Sequence, residues 1–239
     1  MPTVLIVGAG PNIGEATAHK FFDAGYTVAY ASRSGKLPSQ FKHFTFDATK
    51  PTTVPDLFAR VRKEAGIPSV VIYNAAAANY PPAEAPLDTP IADMTDYMQV
   101  NAVSPWAVAG EAIKGFTDLG PDGLGKQGGT FIFTGNMLND SVAPYFVPNG
   151  MGKSATAHFI KNLALISYQD KPWKFYFGDQ RLADGSPLYK GLSGPAHADT
   201  YFELAQDPKQ RAWQYTFVKD KGYTKFDKVD TWDPATWVN

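Results

Sequence analysis

The sequence predicts an α/β protein in which helices cover both faces of a doubly wound parallel sheet. Short, almost wholly apolar runs alternate with longer segments of helical periodicity, and glycine or proline marks most boundaries between them. Strands that are apolar along their whole length are typical of a sheet buried on both faces. Strands that alternate with helices indicate βαβ units, whose crossovers are right-handed.

The predicted elements follow one another in a regular order. The strands are expected at residues 3–7, 27–30, 43–46, 70–73, 130–134, 174–177 and 213–217. The helices are expected at 14–24, 54–64, 95–116 (with a break near Ser104-Pro105) and 150–168, the last with one apolar face formed by Ala155, Phe159, Leu163 and Ile166. A glycine-rich loop is expected at 120–129. This order predicts a three-layer α/β/α Rossmann fold.

The chain of 239 residues shows no internal repeat and no clear boundary, so a single Rossmann domain over residues 1–239 is expected. Residues 179–239 are predicted to be a loop-rich segment that covers the substrate. Its aromatic side chains are expected to pack over the C-terminal edge of the sheet and shape the pocket; they are Tyr189, Tyr201, Phe202, Trp213, Tyr215, Phe217, Trp232 and Trp237.

Composition excludes several classes of function. Lys plus Arg (22) nearly balances Asp plus Glu (23), so neither a nucleic acid nor an anionic membrane is an expected partner. The chain has no cysteine and its four histidines are scattered without ligand spacing, so no metal site is predicted. The apolar N-terminal run is too short for a signal peptide or a membrane span, which makes the cytoplasm the expected location.

A glycine-rich turn between the first strand and the first helix points to a dinucleotide. Residues 7–14 are Val-Gly-Ala-Gly-Pro-Asn-Ile-Gly. In such a turn, backbone N–H groups at the helix N-terminus face a pyrophosphate. Glycines also simply make turns, but their position between a strand and a helix favours cofactor binding. The predicted cofactor residues of this turn are Gly8, Gly10, Asn12, Ile13 and Gly14.

The end of the second strand indicates which nicotinamide cofactor binds. An acidic residue there would hold the adenosine ribose and favour NAD, but the chain has Ser32 and Arg33. Arg33 can pair with a 2′-phosphate, so NADP(H) is predicted over NAD(H). The alternative is an ordinary arginine in an exposed loop.

Two further strand ends meet at the same crevice. Asp47, followed by Ala48, either accepts a hydrogen bond from the adenine amino group or caps a helix N-terminus. Asn74, followed by Ala75 and Ala76, is predicted to order the backbone beside the cofactor.

These features, in this order, resemble the short-chain dehydrogenase/reductase family over about residues 3–180. The matching features are the glycine-rich turn, Asp47-Ala48, Asn74-Ala75-Ala76, Asn101 in Gln-Val-Asn-Ala, and Lys153 in Gly-Lys-Ser-Ala. The chain departs from the family pattern at Val7 and Asn12 in the turn. It also departs after the sixth strand, where the usual Pro-Gly is replaced by Phe177-Gly178-Asp179-Gln180.

The resemblance implies a catalytic group made of Asn101, Asn136, Asn149 and Lys153. In the family, a serine polarises the carbonyl and a tyrosine gives or takes the proton. A lysine binds the nicotinamide ribose and lowers the tyrosine pKa, and an asparagine holds a helix kink and a water. Here Asn136 replaces the serine and Asn149 replaces the tyrosine at the usual spacing. Asparagine cannot ionise, so the ordinary proton donor is missing.

Other residues could supply the proton. Tyr145, in the loop before Asn149, either reaches the pocket or packs as a loop aromatic. Asp140 and Asp179 lie near strand ends, where turn roles are more typical. Lys153 itself could donate through a water.

The leading hypothesis is an NADP(H)-dependent reductase of a small or medium apolar carbonyl, imine, iminium or enone. Asn136 and Asn149 would donate hydrogen bonds to this substrate or hold a water. The alternatives are a cofactor-binding sensor or structural subunit without turnover, and a fold reused for a non-redox cyclisation or isomerisation. The resemblance also implies a homo-oligomer, a dimer or tetramer, paired through the helices at 95–116 and 150–168.

Overall fold

The computed structural model describes residues 1–78, 80–188 and 190–232, and the described strands form one eight-stranded sheet. The strands are β1 (Thr3–Val7), β2 (Thr27–Ser32), β3 (Lys42–Thr45), β4 (Pro68–Tyr73), β5 (Gly129–Thr134), β6 (Trp173–Arg181), β7 (Gln214–Val218) and β8 (Gly222–Tyr223). The α-helices are α1 (Ile13–Asp23), α2 (Val54–Ala65), α3 (Ile91–Met98), α4 (Ser104–Leu124), α5 (Val147–Asn162) and α6 (Gly194–Gln206).

The sheet order is β3-β2-β1-β4-β5-β6-β7-β8, and every neighbouring pair is parallel except β7 with β8. The predicted fold class is therefore confirmed, with a short antiparallel strand added at one edge. The order reverses between β1 and β4, and a crevice lies outside the carboxyl ends of the strands at such a point.

Two apolar layers hold the helices on the sheet, because alternate residues of each strand face opposite sides. On one side, Leu5 and Val7 of β1 belong to a cluster with residues of α2, α4 and α5. On the other side, Val4 and Ile6 belong to a cluster with residues of α1 and α6. Both faces of the sheet are buried, as the continuously apolar strands predicted.

The predicted helix at 95–116 is interrupted where the sequence indicated. A π-helical turn at Gln99–Val103 joins α3 to α4, just before Ser104. The predicted loop at 120–129 is wrong in its first half. After a kink at Gly120, where φ is 60°, the chain is helical again to Leu124. Pro121 is compatible with this because it stands in the first turn of the resumed helix.

The second long helix begins earlier and ends earlier than predicted. It is α5, which is followed by a π-helical turn at Leu163–Ser167. Its predicted apolar face is only partly correct, because Phe159 is buried whereas Ile166 is 68% exposed. The side of α5 that faces the sheet carries Ala157 and Ile160 instead.

The segment after residue 179 contains more regular structure than expected, because β6 continues to Arg181 and α6 follows. The side chain of Ser193 caps the start of α6, since its Oγ accepts a hydrogen bond of 3.2 Å from Ala196 N. At the other end, the buried ammonium of Lys174 on β6 donates to the carbonyls of Leu204 and Ala205 at 3.2 and 3.0 Å. These bonds satisfy carbonyls that a helix end leaves unpaired.

The described aromatic residues that were predicted to shape the pocket pack in apolar clusters, and none of them borders the crevice at the carboxyl ends of the strands. Tyr201, Tyr215 and Phe217 belong to the cluster under α1 and α6, and Phe202 packs edge-on against Phe21 with ring centroids 5.3 Å apart. Two more aromatic side chains pack against other apolar clusters, namely Trp213 and Trp232. Tyr189 and Trp237 lie outside the described residues. Within the described part of the chain, no helix combines the length and apolar character needed to cross a bilayer.

Candidate active site

Two adjoining cavities form one crevice at the carboxyl ends of the strands. The β2-side cavity has a volume of about 490 Å³, and the β5-side cavity about 360 Å³. Both have Gly8, Gly10, Asn74 and Ala76 in their walls. The crevice therefore runs across the point where the strand order reverses.

The three glycines of the first turn serve different purposes. Gly8 has φ of 85°, and a Cβ there would lie 2.2 Å from Ala75 N, so only glycine fits. A Cβ on Gly14 would lie 2.5 Å from the Cα of Ala9. A Cβ on Gly10 would meet nothing within 4 Å. The packing of the protein explains Gly8 and Gly14, whereas Gly10 borders open space in front of the N-terminus of α1.

Asn12 links this turn to the segment that precedes α6. Its Oδ1 accepts a hydrogen bond from Gly194 N at 2.9 Å, and its Nδ2 donates to Leu192 O at 2.8 Å. The side chain of this predicted cofactor residue is thus engaged by the protein, while Asn12 and Ile13 still form part of the wall of the β5-side cavity.

The β2-side cavity brings together the residues predicted to bind the adenosine half of the cofactor. Its wall contains Ser32, Arg33, Asp47, Ala48 and Ala75, and also Lys36, which was not predicted from the sequence. Lys36 lies three residues after Arg33 in the same loop. This second cation near the end of β2 was the sequence feature that could have predicted its place in the cavity wall.

Asp47 forms a local turn and does not cap a helix. Its Oδ1 accepts hydrogen bonds from the backbone N–H and the hydroxyl of Thr49 at 3.0 and 2.9 Å, and these bonds lower the carboxyl pKa. The residue in the N-cap position of α2 is Thr53, so the helix-capping alternative is wrong. Asn74 donates from Nδ2 to Gly8 O at 2.9 Å and so fixes the glycine-rich turn.

Lys153 lies on α5 with its side chain in the wall of the β5-side cavity. It is only 4% exposed, and its ammonium donates to Thr134 O at 2.9 Å. The nitrogen also lies 4.4 Å from the ring centroid of Phe133. Burial lowers the lysine pKa to about 8, against the opposing effect of Asp179.

Asn101 and Asn149 hold the same backbone group. Asn101, fully buried in the π-helical turn, donates to Ala77 O at 2.7 Å and accepts from Ala77 N at 3.2 Å. Asn149 donates from Nδ2 to the same oxygen at 3.3 Å, and its buried Oδ1 has no partner among the described residues. One N–H of the Asn149 amide, which was predicted to donate to a substrate, is therefore already engaged.

Both N–H groups of the Asn136 amide lack a partner among the described residues. Its Oδ1 accepts from Leu138 N at 3.1 Å, which directs the amide so that Nδ2 makes no hydrogen bond to any described residue. Asn136 lines the β5-side cavity together with Asn149 and Lys153. Tyr145 does not, since its side chain is 43% exposed and lies outside the cavity wall.

Comparison with known proteins identifies the family. Residues 2–171 match the family model described as short chain dehydrogenase. The chain belongs to the short-chain dehydrogenase/reductase family. A relative, the short chain dehydrogenase/reductase dmxR12 of Cryptosporiopsis sp. (strain 8999), is 37% identical over a 240-residue alignment that covers 94% of this chain and 95% of the relative.

Solved structures of family members share the fold at low sequence identity. A metagenomic short-chain oxidoreductase in complex with NADP has a TM-score of 0.76 and 15% identity, over 91% of this chain and 96% of that one. An alcohol dehydrogenase from Thermococcus sibiricus, complexed with 5-hydroxy-NADP, has a TM-score of 0.74 and 17% identity, over 95% and 100%. A Burkholderia multivorans family member with bound NADP has a TM-score of 0.68 and 20% identity, over 94% and 99%.

An ion pair that was not predicted from the sequence stands where the family usually has Pro-Gly. Asp179 is a residue of β6 and not of a turn, it is 1% exposed, and it lines the β5-side cavity. Its Oδ2 lies 2.6 Å from Nε of the buried Arg181. Burial raises the pKa of the Asp179 carboxyl to about 6, although Arg181 opposes the shift. The available signal was the Asp-x-Arg spacing, which puts both side chains on one side of a strand.

His197 of α6 also belongs to the wall of the β5-side cavity, and it was not predicted from the sequence. Its Nδ1 lies 2.8 Å from Ser193 O, and a carbonyl only accepts, so Nδ1 carries the proton. Burial lowers the imidazole pKa to about 4, so the ring is neutral at physiological pH. A lone histidine in an unpredicted helix gave no signal of this role.

Proposed function

We propose that the protein is an NADP(H)-dependent reductase of a small or medium apolar substrate. The observation that carries the proposal is the continuous crevice, which has two cations at its β2 end, open space beside Gly10, and Lys153 with Asn136 at its β5 end. A bound cofactor would supply hydride from its nicotinamide. Arg33 and Lys36 would hold the 2′-phosphate, the N-terminus of α1 the pyrophosphate, and Lys153 the nicotinamide ribose.

The cations at the β2 end favour NADP(H) over NAD(H). Of the described residues in the wall of the β2-side cavity, Asp47 is the acidic one, and one of its oxygens is engaged by Thr49. An acid placed to bind both ribose hydroxyls, as expected for NAD, is not seen at the end of β2. Three structural relatives were solved with NADP or a derivative of it, which supports the same preference.

Replacing Arg33 by alanine is expected to weaken NADPH binding about ten- to a hundredfold, the value of a charge-assisted bond to a phosphate. The affinity for NADH, which lacks that phosphate, should stay unchanged. Calorimetric titration measures both affinities, and Arg60→Ala on α2, outside the walls of the crevice, is the matched control. An equal loss for both cofactors would exclude recognition of the 2′-phosphate by Arg33.

The β5-side cavity suits an apolar molecule with one hydrogen-bond acceptor. Its wall includes apolar side chains from several elements, among them Leu138, Phe146, Leu188 and Leu192. The free Nδ2 of Asn136 is the donor that would polarise a carbonyl, imine or enone. NADPH oxidation with a panel of these acceptors tests the proposal, and a panel without turnover would contradict it.

Cofactor binding without turnover is a second candidate function. It is favoured by the side chain of Asn149, which anchors Ala77 in the position where the family keeps its proton donor. Turnover that depends on Lys153 would exclude this candidate.

We also propose that two copies of the chain pair through α4 and α5. Large apolar side chains are exposed on and just after these helices, including Trp106 at 63%, Met151 and Leu165. Replacing Trp106 by glutamate is expected to weaken the dimer about 30-fold or more, because a buried aromatic at an interface contributes about 2 kcal/mol. Light scattering across a dilution series measures this, with Leu87→Glu, an exposed site away from both helices, as the control. A monomeric wild-type protein would contradict the proposal.

A further inference from the structure

The wall of the β5-side cavity contains a carboxyl group with one unused oxygen. Oδ2 of Asp179 is held by Arg181, whose guanidinium also donates to Gly185 O at 3.1 Å. Oδ1 accepts no hydrogen bond from the described residues. The residue is nearly inaccessible to bulk solvent, yet it borders the same cavity as Lys153 and Asn136.

Charged and titratable groups surround this carboxyl from every neighbouring element. Arg181 on the same strand and Lys153 on α5 favour the ionised form, whereas Asp140, from the loop after β5, favours the protonated form. Asp140 is itself paired with Lys228 at 3.3 Å. From α6, the hydroxyl of Tyr201 and the neutral ring of His197 complete the surroundings. Desolvation outweighs the two cations, so the pKa of Asp179 lies well above that of an ordinary aspartate.

We propose that Asp179 donates the proton that a family tyrosine would otherwise give to the substrate. This inference rests on the proposed reductase function. In carbonyl reduction, the proton on Oδ1 moves to the substrate oxygen as the carbonyl carbon gains hydride, and the new O–H bond replaces the Asp179 O–H bond. The resulting carboxylate is stabilised by Arg181 and Lys153 and regains a proton from water that enters through the cavity mouth. One proton and one hydride are thus added to the carbonyl.

The other groups in the cavity are less suited to this step. Asn149 has no proton to give, and the neutral His197 uses its only N–H on Ser193. The Tyr201 hydroxyl donates to Thr134 Oγ1 at 3.0 Å, and burial raises its pKa far above its usual range. Two other acids line the cavity, namely Lys153 and Tyr80, which is 54% exposed. The pKa of Lys153, about 8, is higher than that of Asp179, so the pH dependence of turnover distinguishes these two groups. The fall in rate above about pH 6 should persist in Tyr80→Phe if Asp179 is the donor.

The first test measures the carboxyl directly, without cofactor. In protein labelled with ¹³C at aspartate Cγ, one NMR resonance should titrate with a pKa near 6 and disappear in Asp179→Asn. Lys153→Met should raise that pKa further, because a cation that favours the carboxylate is removed. The titration is measured on the wild-type protein, so it tests for an aspartate with a raised pKa even if Asp179→Asn does not fold. An Asp179 that titrates at or below about 4, its ordinary value, would overturn the inference.

The second test follows turnover against pH with the best acceptor of the panel. Wild-type reduction should fall tenfold per pH unit above about 6, as the donor ionises. Asp179→Asn should have a kcat about 10²–10⁴-fold lower than that of the wild type, and its rate should no longer fall above about pH 6. Its affinity for NADPH should stay within about threefold of the wild-type value. Asp122→Asn, which changes an exposed aspartate of α4 outside the walls of the crevice, should retain both the turnover and the pH dependence of the wild type.

The outcomes separate this inference from the proposed function. If Asp179→Asn turns over like the wild type, or if the wild-type rate begins to fall only near pH 8, then Asp179 is not the donor, although the reductase function stands. If the wild-type protein binds no NADPH, the proposed function and this inference both fail.

Discussion

Replacing Lys153 by methionine is expected to lower the rate of NADPH oxidation by about 10³-fold, since a preorganised charge in a water-excluded site contributes roughly that much. The ammonium of Lys153 is nearly fully buried in the cavity wall and is held in place by Thr134 O. The variant should still fold, because methionine fills a similar volume and removes the cost of burying a charge. Steady-state kinetics and a thermal melt measure the two properties.

The control for this variant lies on the same helix. Lys161→Met replaces an exposed lysine of α5 that faces away from the cavity, so it should keep wild-type turnover. Unchanged turnover in Lys153→Met would show that Lys153 does not contribute to catalysis at the proposed site.

Replacing Gly10 by alanine should abolish detectable NADPH binding, with a loss of at least about a hundredfold, and leave the melting temperature unchanged. No described atom lies within 4 Å of the added Cβ, so the folded protein accommodates it. A pyrophosphate that approaches the backbone at this turn would meet the new methyl group. A single steric conflict of this kind costs several kcal/mol, and each 1.4 kcal/mol is a factor of ten in affinity.

Gly110→Ala provides the matched control. A Cβ on Gly110 would likewise meet nothing within 4 Å beyond its own helix backbone, but this glycine lies on α4 away from the crevice. This variant should bind NADPH like the wild type. Wild-type affinity in Gly10→Ala would mean that the cofactor does not pass over this turn.

Most of the sheet was predictable because strands buried on both faces are apolar without interruption. Helix α6 was not predicted, because polar His197 and Thr200 interrupt the buried apolar residues Ala198, Tyr201 and Leu204 and obscure their helical spacing. Packing against α1 and the ammonium of Lys174 stabilise this helix, and both are tertiary contacts. The burial of Tyr201, Tyr215 and Phe217 beneath α1 and α6 was not predictable for a related reason, because it too depends on tertiary contacts.

The candidate site was predictable where a motif follows a strand. Gly8 and Asn74, which follow β1 and β4, line the crevice. Lys153 of α5 also lines it, at the position that the family spacing indicated. Asp179 was considered as a proton donor, but a turn role was favoured because the sixth strand was expected to end at Phe177. The structure gives Gly178 a packing role within β6, since a Cβ there would lie 2.7 Å from the ring of Tyr201. The strand therefore continues and carries Asp179 into the cavity.

The proposed reductase requires that the crevice bind NADPH, and calorimetric titration of the wild-type protein with NADPH and with NADH measures this binding. We expect one site per chain, with a Kd for NADPH on the order of micromolar and binding of NADH at least about tenfold weaker. Absence of heat with both cofactors, or tighter binding of NADH than of NADPH, would contradict the proposed function.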